Sequence, residues 1–253
     1  MKAPRPSWRV TCAVIGVTLL GGCATSGPQR EEPNPDPLEP MNRAVYRFND
    51  VVDRYVGKPV ARAYGKTPTP VRTGIGNFLD NLRYPITIVN DFLQGKVRQG
   101  GADLLRFTVN STIGLLGVLD PATKAGLREN DEDFGQTFAV WGLGEGPYLM
   151  VPIFGPYTVG SAIGDLAGTQ ISLLTQGPEG KAAVALWALY LVDKRHGLLE
   201  FDEQIQQAFD PYLFIRDAYL QNRRYKIHDG NVPEDELYPE DDFADDTDAA
   251  PAP

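Results

Sequence analysis

Residues 147–164 read Pro-Tyr-Leu-Met-Val-Pro-Ile-Phe-Gly-Pro-Tyr-Thr-Val-Gly-Ser-Ala-Ile-Gly, without a single charge. Three prolines and three glycines exclude one long helix, because proline removes a backbone donor and clashes with the preceding turn. Two other runs share this character. Residues 113–119 are Ile-Gly-Leu-Leu-Gly-Val-Leu, and 182–192, with Trp187 and Tyr190, are apolar on every side of a helix. As a helix the last run covers roughly 16 Å, about half of the ~30 Å hydrocarbon core, so it does not span a bilayer. Apolar runs usually belong to a core. A helix apolar all round, however, needs cover on all sides, and the chain has few elements left to cover three such runs. Shallow insertion into one leaflet buries the remainder. At ~25 cal/mol per Å², a few hundred Å² of apolar surface gives several kcal/mol of membrane attachment.

Elsewhere the periodicity is helical. In 39–56 the apolar residues Met41, Val45, Phe48, Val52, Tyr55 and Val56 recur at three and four, which predicts an amphipathic helix ended by Gly57 and Pro59. A second helix is expected over 70–82, stopped by Pro85, then a short third over 86–93, and 99–110 continues helically. Strand-like alternation is scarce. The expectation is a single, mainly α body over 39–228 that sits on the membrane without crossing it and has little or no strand.

The N-terminus supplies an address. Lys2, Arg5 and Arg9 precede an uncharged stretch from Val10 to Leu20, the length of a signal-peptide core and too short to span. Leu20-Gly21-Gly22-Cys23 follows. Small residues let the backbone lie extended in a peptidase cleft, and the cysteine thiol can carry a diacylglycerol. This resembles the lipobox of bacterial lipoproteins, so 1–22 is expected to be removed and Cys23 acylated. A secretory signal with a chance cysteine is the plainer alternative. Ala24, where a sorting Asp would retain a lipoprotein at the inner membrane, points to the outer membrane. Residues 23–38 hold Pro28, Pro33, Pro35 and Pro37 and read as an extended tether. Besides Cys12, in the leader, Cys23 is the only cysteine, so the body has no disulfide framework and no thiol nucleophile.

The net charge of −9 misleads about the body. Nine acids and no base lie from Glu234 onward, and three bases lie in the leader, leaving 21 bases against 24 acids between them. No basic stripe argues for nucleic acid. Residues 229–253 read as an acidic, solvated tail, with docking to a basic partner as the functional alternative.

A search for catalytic chemistry returns little. His196 lies beside Gly197, where it suits a helix C-terminus, and His228 closes the body; two separated histidines have no metal-ligand spacing. Ser161 lacks the spacing of a nucleophile elbow. Gly142-Leu143-Gly144-Glu145-Gly146 lacks the Lys-Ser/Thr of a phosphate loop, and Pro147 follows where its helix would begin. Asn130-Asp131-Glu132-Asp133 lacks the alternating ligands of a calcium loop and reads as a charged surface turn. Nothing selects a carboxylate pair among Asp120, Asp165 and Asp210. The body reads as a non-enzyme without a cofactor.

Several long motifs, in order, carry a family resemblance. They are Asp36-Pro37-Leu38-Glu39-Pro40-Met41-Asn42-Arg43 with Tyr46, Phe48 and Asn49; Asn77-Phe78-Leu79-Asp80-Asn81-Leu82 with Pro85 and Asn90; and Phe92-Leu93-Gln94-Gly95 with Arg106-Phe107 and Asn110-Ser111-Thr112. Gly114 through Gly117 to Asp120 follows, then Asp133-Phe134-Gly135-Gln136-Thr137-Phe138, Trp141 through Tyr148, Pro152-Ile153-Phe154-Gly155-Pro156, and Asp210-Pro211-Tyr212 with Arg216 through Gln221. The chain resembles the MlaA (VacJ) lipoproteins over nearly the whole mature body. At Val159-Gly160-Ser161 it departs from the Arg-Asp step that often follows the family's Gly-Pro pair.

The resemblance implies a helical ring embedded in the inner leaflet of the outer membrane, with an amphipathic channel through it. It implies association with a trimeric porin, removal of phospholipids mislaid in the outer leaflet, and their transfer to a periplasmic carrier resembling MlaC. No cofactor is implied. Leu115, Leu116, Trp141, Tyr148, Phe154, Tyr157 and Trp187 are then the candidate membrane- or channel-facing residues. The alternatives are a periplasmic lipase or esterase and a structural lipoprotein that binds the cell wall.

Overall fold

The computed structural model describes residues 34–233 except 178. The signal sequence, Cys23, most of the tether and the acidic tail from Glu234 lie outside the described residues. The fold is mainly helical. Its elements are α1 (Glu39–Val52), a π-helical turn (Asp53–Gly57), α2 (Lys58–Tyr64), α3 (Thr69–Leu93), α4 (Val97–Thr112), α5 (Pro121–Lys124) and α6 (Phe134–Val140). A hairpin of β1 (Tyr148–Val151) and β2 (Gly155–Thr158) follows, then α7 (Val159–Gly168), α8 (Leu173–Gln176), α9 (Lys181–Gly197), a 3-10 turn (Leu198–Phe201), α10 (Asp202–Gln207) and α11 (Pro211–Ile227). Among the described residues no helix is long and apolar enough to cross a membrane.

Side-chain caps fix the helix starts. Asp120, Asp133, Ser172 and Asp210 each accept a hydrogen bond from a backbone N–H of the first turn, which satisfies donors a helix start leaves orphaned. Thr158 and Ser161 close a reciprocal capping box at α7. Residues 147–164 therefore become an antiparallel hairpin, with Tyr148 opposite Thr158 and Val151 opposite Gly155, that feeds directly into a helix.

Two expected helix breaks do not occur. Gly57 and Pro59 do not end the first helical segment; the backbone widens into the π turn and continues as α2. Pro59 stands at the second position of α2, directly after the π turn. Pro85 lies inside the single helix α3. Proline in a helix interior costs about 3 kcal/mol, and tertiary contacts on both sides offset it. Before Pro85, Tyr84 is buried and Asn81 bonds to Ser111 at the end of α4 and to the Leu116 carbonyl beyond; after it, Thr87, Ile88, Asn90 and Asp91 are all buried.

The packing of elements closes on itself. β1 packs on α1, which leads through the π turn to α2; α2 packs on α9, α9 on α3, α3 on α6, α6 on α11, and α11 on β2, the partner of β1. The apolar centre is small. Tyr148, Met150 and Tyr212 form it, and Tyr46 and Tyr219 join edge-on at ring-centroid distances of 5.8 and 6.1 Å. At the α6–α7 crossing a Cβ on Gly164 would lie 2.3 Å from the Gly135 nitrogen, so only glycine allows that approach.

Candidate lipid-facing surface and polar interior

α1 presents its apolar stripe outward. Met41, Ala44, Phe48, Val51 and, in the π turn, Tyr55 follow a three-four spacing and are all exposed, Tyr55 by 74%. The interior face carries Asn42, fully buried, and Asn49. Val45 alone of this early pattern packs on the aromatic centre as expected of a core residue. A helix of a water-surrounded domain turns its apolar stripe inward; α1 turns much of it out.

The two asparagines explain why the interior face is polar. They are seven residues apart, about two helical turns. Asn42 Nδ2 donates to the Tyr148 carbonyl at 3.1 Å while its Oδ1 accepts from the Met150 N–H at 2.9 Å. Asn49 Nδ2 donates to the Val151 carbonyl at 3.0 Å and its Oδ1 accepts from the Ile153 N–H at 2.7 Å. Two side-chain amides thus stand in for a third strand along the open edge of β1. Asp36 anchors this arrangement, accepting from Asn42 Nδ2 at 2.7 Å and from the Tyr212 hydroxyl.

The clamp holds an apolar tip in the open. Ile153 and Phe154, between the strands, are 63% and 53% exposed. Ile153 sits at φ +70, a conformation rare for a β-branched residue. A second tip repeats the device between α4 and α5. Leu115 and Leu116 lie at φ +55 and +60, and both are about two-thirds exposed. Asn81 Nδ2 donates to the Leu116 carbonyl and to Ser111 Oγ. Gly117, at φ +91, lies so close to Asn81 that a Cβ there would be 2.4 Å from the Asn81 Cβ. The close packing beneath forces both leucines up and out, at about 1–3 kcal/mol of backbone strain each.

The other candidates are dispersed. Trp141, at the end of α6, is more than half exposed, and its Nε1 donates to the Leu93 carbonyl at 3.1 Å. That leaves an apolar ring face outward with its polar edge satisfied, an arrangement suited to an interface. Tyr157 is half-buried and donates to Asp165 at 2.9 Å; burial, then Asp165, pushes its phenol pKa up. Trp187 is half-buried edge-on against Tyr190, which accepts from Arg83 at 2.8 Å. Tyr148 lies in the aromatic centre and not at the surface. It is fully buried, because the residues of β1 that alternate with it leave it and Met150 pointing at Tyr212.

Polar and charged residues fill most of the rest of the interior: among the described residues sixteen are buried against nine apolar ones. Arg223 on α11 pairs with Asp133 at 2.6 Å and Glu145 at 2.7 Å, tying the α6 cap to the glycine loop before β1. Burial alone would raise the Asp133 carboxyl, but the Arg223 charge and hydrogen bonds hold it below the ordinary carboxylate range. Arg106 on α4 reaches Thr123, Asp120 and the Leu127 carbonyl, each at 2.8 Å. Asn130-Asp131-Glu132-Asp133 is not the surface turn its composition suggests. Asn130 bridges both oxygens of the buried Asp103, Glu132 is buried against Lys96, Gln94 and Gln99, and Asp133 is ion-paired. Asp91 and Asp103, both fully buried, meet across α3 and α4. Burial, then the adjoining Asp103, pushes Asp91 up to about 8.

Sequence reasoning missed these interior groups. A signal was available: α1, α3 and α4 carry Asn42, Asn49, Asn77, Asn81, Asn90 and Asn110, a residue that competes with helix backbone and persists there when its amide has other partners. Ser161 is bonded into the α7 cap and to Tyr219. His196 stacks edge-on against Tyr64. Among the described residues no group of three His, Cys, Asp or Glu side chains is placed to hold a metal ion.

The family described as MlaA lipoprotein matches residues 34–226. The "Intermembrane phospholipid transport system lipoprotein MlaA" of Escherichia coli K12 is 37% identical, over 88% of this chain and 90% of the relative. The protein of the same name from Haemophilus influenzae is 31% identical, over 92% of this chain and 96% of its own length. A solved chain from work on the "structural basis for maintenance of bacterial outer membrane lipid asymmetry" superposes with a TM-score of 0.69 at 34% identity, covering 76% of this chain and 98% of that one. The chain described here belongs to the MlaA lipoprotein family.

Proposed function

We propose that this protein is the outer-membrane lipoprotein of an intermembrane phospholipid transport system. In this reading it removes phospholipids mislaid in the outer leaflet and hands them to a periplasmic carrier, preserving lipid asymmetry. The observation that carries the proposal is the inversion of α1, apolar stripe out and asparagines in. Such a body is at home in hydrocarbon on its outside, while its inward amides are satisfied by the backbone of the hairpin. The closed circuit of packed elements supports a ring around an amphipathic channel. Acyl chains would follow the apolar rim and headgroups the polar interior. A passive channel has no direction of its own, so the carrier and the lipid gradient set the direction of flow.

The lipobox supports acylation at Cys23, Ala24 supports sorting to the outer membrane, and the family resemblance implies its inner leaflet. A trimeric porin and an MlaC-like carrier are the partners that the family resemblance implies. Transport without catalysis is supported by the engagement of Ser161 in the α7 cap and of Asp133 in its ion pair with Arg223. A strain lacking the protein is expected to accumulate outer-leaflet phospholipid and to become sensitive to detergent with chelator. Both defects should return to normal when the chain is supplied again. An unchanged outer leaflet in the deletion strain would refute the proposal, as would phospholipid hydrolysis by the purified protein.

A further inference from the structure

We propose that the acidic tail from Glu234 onward folds back onto its own body and occupies the cleft between the start of α4 and residues 128–130. This cleft, of about 650 Å³, is open and lined by Lys96, Val97, Arg98, Gln99, Arg128 and Asn130. Arg98 and Arg128 are exposed, and among the described residues neither meets an acid. They contrast with the other cations nearby, since Lys96 is held by Glu132 and Asp229, and Lys226 by Asp131. Two free guanidinium groups at the mouth of one cleft make it a receptor for carboxylates, which they bind in a planar, two-pronged geometry.

The route of the chain selects the occupant. After α11 the backbone turns at Asp229, whose carboxylate lies 2.5 Å from Lys96 Nζ on the wall of this same cleft. Five residues later the acidic run begins, with nine carboxylates and no base. The tail is therefore anchored at the edge of the cleft and opposite to it in charge. Tethering so close gives a high effective concentration, so weak exposed ion pairs suffice to populate the docked state. Docked, the tail would shield Arg98 and Arg128 from other anions, and salt would release it.

The test places a photo-crosslinking amino acid at position 97, in place of the exposed Val97, in the full-length protein in its own membrane. Proteolytic mapping then separates 234–253 from 227–233. Crosslinks are expected within 234–253 and absent from a control probe at position 66, in place of the exposed Lys66. The Arg98→Glu, Arg128→Glu double variant should lower the yield about fivefold, the effect expected of losing two exposed ion pairs. High salt should act in the same direction. The charge swap lies on the surface and leaves the fold intact, which the unchanged thermal transition of the variant would verify. Three results overturn the proposal: crosslinks from position 97 to lipid or to another protein instead of the tail, tail crosslinks equal in yield at position 66, and yields unaffected by charge reversal.

Discussion

Asp91 carries two opposing demands. Its carboxyl is fully buried, Gln99 occupies one oxygen at 2.7 Å, and the other faces Asp103, with no other donor. Two buried carboxylates in contact cannot both be charged without a large desolvation and repulsion cost. A proton held on Asp91 removes that cost, in keeping with a pKa pushed up to about 8 by burial and then by Asp103. Because the folded value lies above the unfolded one, the folded state binds this proton more tightly. Stability is then full below the ordinary carboxylate range, declines as pH rises from there, and levels off above about 8. Thermal scans across pH 4 to 9 should show this decline in the native protein, and Asp91→Asn, which supplies a neutral donor of the same shape, should flatten it. A variant that keeps the same slope would place the proton elsewhere. None of this was legible in the sequence: Asp91 and Asp103 are twelve residues apart on different helices, and only the α3–α4 pairing brings them together.

Among elements, the tips at Leu115–Leu116 and Ile153–Phe154 spend backbone strain on holding apolar side chains in the open. In water that arrangement loses twice, through the left-handed backbone and through the exposed leucine. In hydrocarbon only the strain remains. Replacing both leucines by asparagine separates the two terms, since asparagine tolerates φ > 0 and has no apolar area. Leu115→Asn, Leu116→Asn is expected to fold with equal or higher thermal stability in mild detergent. Its partition into phospholipid vesicles should weaken by on the order of 2 kcal/mol, about thirty-fold. Unchanged partition would mean the tip does not enter the bilayer, and collapse of the fold would mean the leucines hold the loop. At this scale the sequence was readable in part. The apolar periodicity of α1 located a helix correctly, because a 3.6-residue repeat says that one stripe differs from the rest. Periodicity does not say which stripe faces in. The helix breaks expected at Gly57–Pro59 and Pro85 failed for a related reason. A proline penalty is local, whereas the bonds of Asn81, Tyr84 and Asn90 that outweigh it reach distant segments.

Under the proposed function, the whole molecule divides the task of reaching the membrane from that of staying there. Cys23, in the lipobox, lies outside the described residues, and its proposed lipid is separated from the body by a proline-rich stretch. One acyl anchor on such a tether gives limited attachment by itself. The body adds its own: an outward apolar stripe on α1, two clamped tips, Trp141 with its polar edge satisfied, and an α9 on which no side chain is fully buried. Delivery and retention should therefore come apart experimentally. Cys23→Ala in its own host is expected to lose sorting to the outer membrane. The same body, exported behind a cleavable signal without a lipobox, is expected to stay with membranes through a high-salt wash and to come off only in detergent. Salt removes a peripheral protein held by charge, but it does not weaken apolar burial. If the anchor-free body stayed soluble without detergent, the exposed stripe would have to be covered by a protein partner instead of lipid. Retention would then rest on Cys23 alone.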